Sequence, residues 1–280
     1  MDVKSQGFLL YLMSMLNFIF EILLRTISQL ITILGFFFVI GFILSKLQKW
    51  TQNQYQRSVG WLGILWTAWI GTPVHELAHA FFAKLFAHKI EKVSLFRPNR
   101  KTGMLGQVDH SYNPKNPYQN IGNFFIGAAP MIVGCLVLAM LFNYVLPGNQ
   151  EILALVQKIN FKTPIEALSG LFQIIIALFS VENIASPRFW IFMYLSFCVA
   201  THLAPSSYDQ KTMWNGLLWL FIFLFIFNIG IRSAHINLSS FSEYFSLAWL
   251  TFAFWYASVV SFVHLLVASI ILFPIRLMRR

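Results

Sequence analysis

The sequence contains the stretch GTPVHELAHAFFAKLFA at residues 71–87. This stretch is the later part of an apolar run, residues 59–87, which is long enough to cross a bilayer because a span needs about 20 apolar residues. His75, Glu76 and His79 interrupt the run. An ionisable side chain at the centre of a span costs about 2.5–3.5 kcal/mol on insertion scales, so we expect these three residues to face a protein interior.

The same stretch predicts a local feature of the backbone. Thr72 is a residue type that caps helices, and Pro73 is favoured at the first helical position. We therefore expect a helix to start or to kink at residues 71–73 and to carry the two histidines and the glutamate.

The rest of the chain has the composition of a membrane protein. Of its 280 residues, 58% are hydrophobic and 11% are charged, whereas soluble proteins have about 45–50% and about 25%. The net charge of +10 comes from lysines and arginines in short segments between apolar runs, which is typical of membrane topology and lipid contact and not of a nucleic-acid-binding face. We expect a multi-pass integral membrane protein of a prokaryotic plasma membrane, in contact with the lipid bilayer and with no nucleic-acid partner.

The apolar runs predict an all-α polytopic fold with about six transmembrane helices. Run 165–181 fits either a tilted span or a helix at the membrane interface. We expect a single membrane-embedded domain over residues 1–280, with a core at 59–232 and flanking helices at 8–47 and 247–273. The other candidate spans are residues 27–47, 59–87, 121–146, 189–203, 214–231 and 247–273.

A polar insertion, residues 89–120, separates the run that carries the histidines from the next span. Charged residues return in it, and glycines and prolines flank two short segments, 92–96 and 107–112. Such residues mark turns between strands. The sequence therefore predicts a small β-hairpin or an irregular loop after the helix of His75 and His79.

His75, Glu76 and His79 form a pattern that is typical of a metal site. Residues four apart lie on one face of a helix, so both imidazoles can bind the same ion. The pattern arises by chance roughly 0.004 times in a chain of this composition. Zinc suits two imidazoles in an open tetrahedral site, and it lowers the pKa of a bound water toward roughly 7. Glu76 would then be the general base. The competing interpretation, that the three residues cap a helix leaving the membrane, requires neither the histidine spacing nor the glutamate.

A third ligand must come from elsewhere in the chain, because neither position 82 nor position 85 holds a histidine. Asp209, in a polar turn after an apolar run, is the first candidate, and His202 is the second. His88 and Glu91 are closer in sequence but are expected to lie just outside the helix. An aspartate in such a turn can also be a surface residue that stabilises the turn.

The HELAHA helix and the later Asp-bearing turn resemble the site-2 protease family of intramembrane zinc metalloproteases. Residues 90–112 are similar to the hairpin-like insertion that is common in this family. The resemblance implies that His75, His79 and Asp209 bind zinc and that Glu76 is the base. It also implies a membrane-protein or membrane-proximal peptide as substrate, reached laterally between helices, with a regulatory partner controlling access in some cases.

The chain departs from that family pattern in its second motif. The family usually has an Asn and a Pro upstream of an Asp-Gly pair, whereas Pro205 precedes Asp209 here and Gln210 follows it. Asn123 and the stretch at 127–130 resemble asparagine and glycine elements that follow the hairpin in the family. A run of small residues is also typical of close packing between helices.

Two other functions stay open from the sequence. One is a membrane zinc peptidase whose third ligand is Glu151, Glu166 or Glu182 and whose chamber faces the cytosol. The other is a zinc-binding membrane scaffold or transporter without hydrolysis. A transporter needs further ligands along its path, and apart from His264 the later spans offer almost none.

Overall fold

The computed structural model describes residues 3–158, 164–234 and 248–278. Helices make up most of this part of the chain, and two short strands follow the second helix. In chain order, the elements are α1 Val3–Ser58, α2 Trp61–Leu85, β1 Lys89–Ser94, β2 Gln107–Ser111, α3 Pro117–Tyr144, α4 Asn149–Lys158, α5 Pro164–Leu178, α6 Val181–Ala185, α7 Pro187–Ala200, α8 Ser207–Ser233 and α9 Ala248–Met278.

Four described helices, α1, α3, α8 and α9, are long and apolar enough to cross a membrane. The chain is therefore a helical membrane protein, and its all-α class is confirmed for the described residues apart from one small sheet. α5 and α7 have 15 and 14 residues, fewer than the about 20 that a span needs. α2 carries the histidines and is not among the four helices. The count of about six spans stays a prediction.

α1 is longer than the sequence predicts. The span was expected to end near residue 47, but the helix continues through the polar residues that follow and ends at Ser58. Those polar side chains have partners on other helices. The Gln52 amide donates to the Thr201 carbonyl at 3.4 Å, and the Tyr55 hydroxyl forms a 2.8 Å hydrogen bond with Nε2 of His264. Contacts between distant segments therefore keep this polar stretch helical.

α2 begins at Trp61 and passes through Pro73, so no helix starts at residues 71–73, and the alternative of a kink there stays a prediction. Gly71, the first of these three residues, has a role in helix packing. A Cβ atom at Gly71 would lie 2.1 Å from the carbonyl oxygen of Cys198, near the end of α7. Gly71 therefore allows α7 to pack closely against the middle of α2.

The polar insertion contains a two-stranded antiparallel sheet, in which β1 pairs with β2 and the register shifts between Ile90 and Lys92. An isolated bridge between Asn99 and Met104 continues the pairing beyond the strands. The insertion then folds back onto α2. A Cβ atom at Gly106 would lie 2.7 Å from Cγ of Glu76, so the backbone of the insertion reaches the centre of this helix.

One hydrophobic cluster joins α1 to the helices around the histidines. The ring of Phe37 on α1 packs 6.2 Å from that of Phe124 on α3 and 5.5 Å from that of Phe254 on α9, measured between centroids. The helices expected to flank the core thus pack directly against it. This packing holds α1 beside α2 and α8, which carry the candidate site.

Candidate metal centre

α2 places His75 and His79 one turn apart on the same face. Their Nε2 atoms lie 3.1 Å from each other, and their ring centroids are 4.8 Å apart. This is the arrangement expected for residues four apart on a helix. The two rings therefore present their Nε2 atoms to a common point.

Asp209, the third residue of α8, meets the two histidines at that point. Its Oδ1 lies 3.2 Å from Nε2 of His79, and its Oδ2 lies 3.6 Å from Nε2 of His75. The three possible ligand atoms all lie within 4.8 Å of one another. The structure thus brings the first-ranked third ligand to the histidines from 130 positions away in the chain.

Asp209 also stabilises the start of α8. The backbone N–H of Ser206 donates to Oδ2 of Asp209 at 2.7 Å, and the backbone N–H of Asp209 donates to Oγ of Ser206 at 3.2 Å. This reciprocal pair is a capping box. Asp209 is nevertheless only 6% exposed, so it is not a surface residue. A Cβ atom at Gly127 would lie 2.4 Å from the carbonyl oxygen of Asp209, which means that α3 packs closely against this turn.

Backbone carbonyls determine which nitrogen of each histidine carries a proton. Nδ1 of His75 lies 2.7 Å from the carbonyl oxygen of His202, and Nδ1 of His79 lies 2.8 Å from that of Ile126. A carbonyl can only accept, so each Nδ1 must donate, and a neutral ring then has its lone pair on Nε2. Two imidazole lone pairs and one carboxylate form a donor set that fits zinc, with carbonyl partners that orient the rings.

Glu76 lies beside this cluster and is 8% exposed. It lines the same cavity as the two histidines and Asp209, with a volume of about 840 Å³. The backbone of Gly106 covers one side of its carboxylate, since an added Cβ would lie 2.9 Å from Oε1. A buried carboxylate beside these candidate ligands has the chemistry of a group that exchanges protons with water.

The other ligand candidates have different positions. His202 contributes its backbone carbonyl to His75, while its ring Nδ1 lies 3.1 Å from the carbonyl of Cys198. Glu91 is exposed and pairs with Lys89 at 3.2 Å. His202 and Glu91 do not belong to the group of ligand atoms found among the described residues.

The glutamates of the rival zinc-peptidase hypothesis do not line this cavity. Glu151 lies on α4, Glu166 on α5 and Glu182 on α6, and all three are exposed. Within residues 3–158, 164–234 and 248–278, none of them belongs to a group of three possible ligands.

Several residues of the cavity wall were not predicted from the sequence. Ser45, Gln48 and Gln52 line the cavity from α1. These polar residues are three and then four positions apart, as residues on one helix face are. That spacing could have predicted that they face one site. His110 lines the cavity from β2.

Two histidines at the insertion, His88 directly before it and His110 on β2, favour their neutral form. Burial lowers the pKa of His88. Burial, then the neighbouring His88 and His79, lowers the pKa of His110 to about 4, with Asp109 acting in the opposite direction. A hydrogen bond from Ser111 and the Lys89 ammonium lower the pKa of the exposed Glu91. At neutral pH, both insertion histidines are therefore uncharged.

Comparisons with protein-family models, with curated proteins and with solved structures find no match for this chain. The resemblance of residues 71–209 to the site-2 protease family therefore stays a prediction.

Proposed function

We propose that this chain is an intramembrane zinc metalloprotease of the site-2 protease type, which hydrolyses peptide bonds in or near transmembrane segments. The observation that carries the proposal is the convergence of His75, His79 and Asp209 beside the buried carboxylate of Glu76. The pattern on α2 predicts this chemistry, and the position of Asp209 supports it with a third ligand from another helix.

The donor set supports a catalytic rather than a structural metal. Structural zinc sites usually have four protein ligands, whereas catalytic sites have three and an open position. Zinc held by His75, His79 and Asp209 would supply a Lewis acid that polarises a water molecule and lowers its pKa toward roughly 7. The carbonyls of His202 and Ile126 keep the two rings in the tautomer that this binding requires.

Glu76 carries out the proton transfers. It accepts a proton from the attacking water as the water oxygen forms a bond with the peptide carbonyl carbon. It then donates that proton to the amide nitrogen as the carbon–nitrogen bond breaks, so the products are a carboxyl group and an amine. Gly106 holds the backbone of the insertion against Glu76 and limits the space in which its carboxylate can move.

A groove between α1 and α8 supports a substrate that comes from the bilayer. The groove has a volume of about 230 Å³ and is mostly apolar. It shares Ser45 and Pro205 with the cavity of the metal centre. Phe38 of α1 and Trp214 of α8 line it and stack with their ring centroids 5.4 Å apart. An apolar peptide segment could therefore approach the site between these two helices.

Metal content tests this proposal. We expect about one zinc per chain in detergent-purified wild-type protein and its loss in His75→Ala and in Asp209→Ala, because each change removes one of three ligands. Asp109→Ala is the matched control, since Asp109 also lines the cavity but is not in the ligand cluster. Elemental analysis of the four proteins measures this directly.

Three results would contradict the proposal. Absence of zinc from gently purified wild-type protein would rule out the metalloprotease proposal. Loss of zinc on changing Glu151, Glu166 or Glu182, and not Asp209, would favour the other zinc peptidase. If the Glu76→Gln protein keeps its function in the cell, the scaffold or transporter would be favoured, because that change removes the base and spares the metal ligands.

A further inference from the structure

The proposed mechanism does not use two histidines at the insertion, His88 directly before it and His110 on β2. The Nδ1 atoms of His88 and His110 lie 3.0 Å apart, and Nε2 of His88 lies 2.8 Å from the carbonyl oxygen of Gln119, in the first turn of α3. The ring of Tyr112 stacks on His88 with centroids 5.0 Å apart. His88 is therefore held between the insertion and a membrane helix, and it holds His110 in turn.

This chain of contacts determines the tautomer of both rings. The Gln119 carbonyl can only accept, so Nε2 of His88 carries the proton and Nδ1 of His88 carries a lone pair. The Nδ1 atom of His110 must then be the donor across the 3.0 Å contact. The pKa values of both histidines are lowered, which keeps the rings neutral. A neutral His110 that donates from Nδ1 has its lone pair on Nε2.

The position of His110 brings its ring to the wall of the cavity that contains the candidate metal centre. His110 is half-buried on β2 and lines the cavity that contains His75, Glu76 and Asp209. Its Nε2 forms no hydrogen bond with any residue in the described ranges. The Gln107 amide, on the same cavity wall, donates to Asp109 at 2.7 Å.

We propose that His110 is a substrate-positioning residue, whose Nε2 accepts a hydrogen bond from a backbone N–H of a peptide bound beside His75, His79 and Asp209. His88 acts through His110 by fixing its tautomer. The inference deepens the proposed function and rests on it. The ligand class is a peptide, because an extended peptide brings unbonded backbone N–H groups and the cavity wall offers a fixed acceptor for one of them.

The test compares two metal-binding probes on the cobalt-loaded protein. Acetohydroxamic acid carries no peptide, whereas a dipeptidyl hydroxamate carries backbone N–H groups. Dissociation constants come from the change in the visible absorption of Co²⁺. We expect His110→Phe, which keeps a ring but removes the acceptor, to weaken binding of the dipeptidyl hydroxamate about tenfold. Binding of acetohydroxamic acid should not change.

Two further measurements make the test specific. Methylation of the backbone nitrogens of the dipeptidyl hydroxamate should weaken its binding to wild-type protein, and should have no further effect on His110→Phe. His110→Gln, which restores an acceptor oxygen, should recover part of the affinity. The comparison of methylated and unmethylated probes on wild-type protein does not depend on the folding of any variant.

The outcomes separate the two proposals. If wild-type protein binds neither Co²⁺ nor acetohydroxamic acid, the metal centre and the inference are both wrong. If both bind, but neither His110→Phe nor backbone methylation weakens the dipeptidyl probe, the role of His110 alone is overturned.

Discussion

Gly106 and Glu76 meet where the insertion crosses the centre of α2. The backbone of Gly106 approaches Glu76 so closely that an added Cβ would lie 2.7 Å from its Cγ and 2.8 Å from Cγ2 of Thr72. A group that moves a proton between a water and a departing amine must stay within hydrogen-bonding range of both. The missing side chain at Gly106 therefore allows the insertion to enclose the carboxylate without displacing it.

Gly106→Ala should impair hydrolysis and spare the metal. The new methyl group forces Glu76 or the insertion to move, and a misplacement of about 1 Å can reduce a rate by roughly 100-fold. We expect a loss of roughly 10- to 100-fold in cleavage of a transmembrane peptide, with unchanged zinc content by elemental analysis.

Gly230→Ala in α8 is the matched control for this change. An added Cβ at Gly230 meets nothing within 4 Å, so cleavage should stay at the wild-type rate. Full activity in Gly106→Ala would show that the insertion moves freely over Glu76 and would contradict the prediction.

Two of the contacts that attach the insertion to the helices lie at separate points. Gly106 contacts α2, and the pair of His88 and His110 connects β2 to the first turn of α3. The second attachment depends on protonation, because the contact between two Nδ1 atoms needs one of them to be a bare acceptor. If both rings carry a proton on Nδ1, the contact becomes a repulsion.

The attachment of the insertion should weaken as pH falls. The folded pKa values of His88 and His110 lie below the ordinary value of 6.5, with that of His110 at about 4. The detached state therefore binds more protons between these values, and stability rises with pH over this range. We expect lower hydrogen-exchange protection factors for β2 amides at pH 5 than at pH 7.

Two controls isolate the insertion histidines in this experiment. Amides in the second half of α3, a helix without histidine, provide an internal reference away from the contact at Gln119. His75→Ala, which lacks one of the candidate zinc ligands, should show the same difference in β2 protection between pH 5 and pH 7. Such a result would show that the difference does not come from loss of zinc at low pH. Equal protection of β2 at both pH values would contradict the prediction.

α1 connects the whole molecule. With 56 residues it is about 84 Å long at 1.5 Å per residue, against a hydrocarbon core of about 30 Å. Near the middle of α1, the Asn228 amide of α8 donates to Thr26 at 3.0 Å and to Gln29 at 2.8 Å. Near the C-terminal end of α1, Tyr55 contacts His264 of α9. α1 thus contacts both α8, which lines the cavity, and α9.

Tyr55→Phe should destabilise the packing of α1 on α9. The ring of His264 is buried, stacks on Phe197 at 4.1 Å, and its Nδ1 has no partner in the described part of the chain. Loss of the Tyr55 hydroxyl leaves its other nitrogen without a partner too. We expect the free energy of unfolding in detergent micelles to fall by about 1 kcal/mol, measured by chemical denaturation.

Tyr11→Phe is the matched control on the same helix. Tyr11 is 69% exposed, so removing its hydroxyl should leave the free energy of unfolding unchanged. Equal stability of Tyr55→Phe and wild-type protein would mean that the hydrogen bond to His264 does not hold α1 against α9.

Several parts of the molecule could be predicted because they depend on local sequence. The membrane class follows from composition, and the shared face of His75 and His79 follows from the helical repeat. Asp209 could be ranked first as a partner because a carboxylate stood in a polar turn, but its distance to the histidines could not be obtained from the sequence. The length of α1 was underestimated because the partners of Gln52 and Tyr55 lie on other helices.

The sequence by itself determined that the chain is a helical membrane protein with a two-histidine pattern and a glutamate on one helix, since spacing within a helix is set by its 3.6-residue repeat. Only the tertiary structure decided that Asp209 meets those histidines and that His110 lines the same cavity. It also decided that the insertion covers Glu76. These contacts join residues far apart in the chain, so they depend on how the helices pack and on which buried polar groups find partners there.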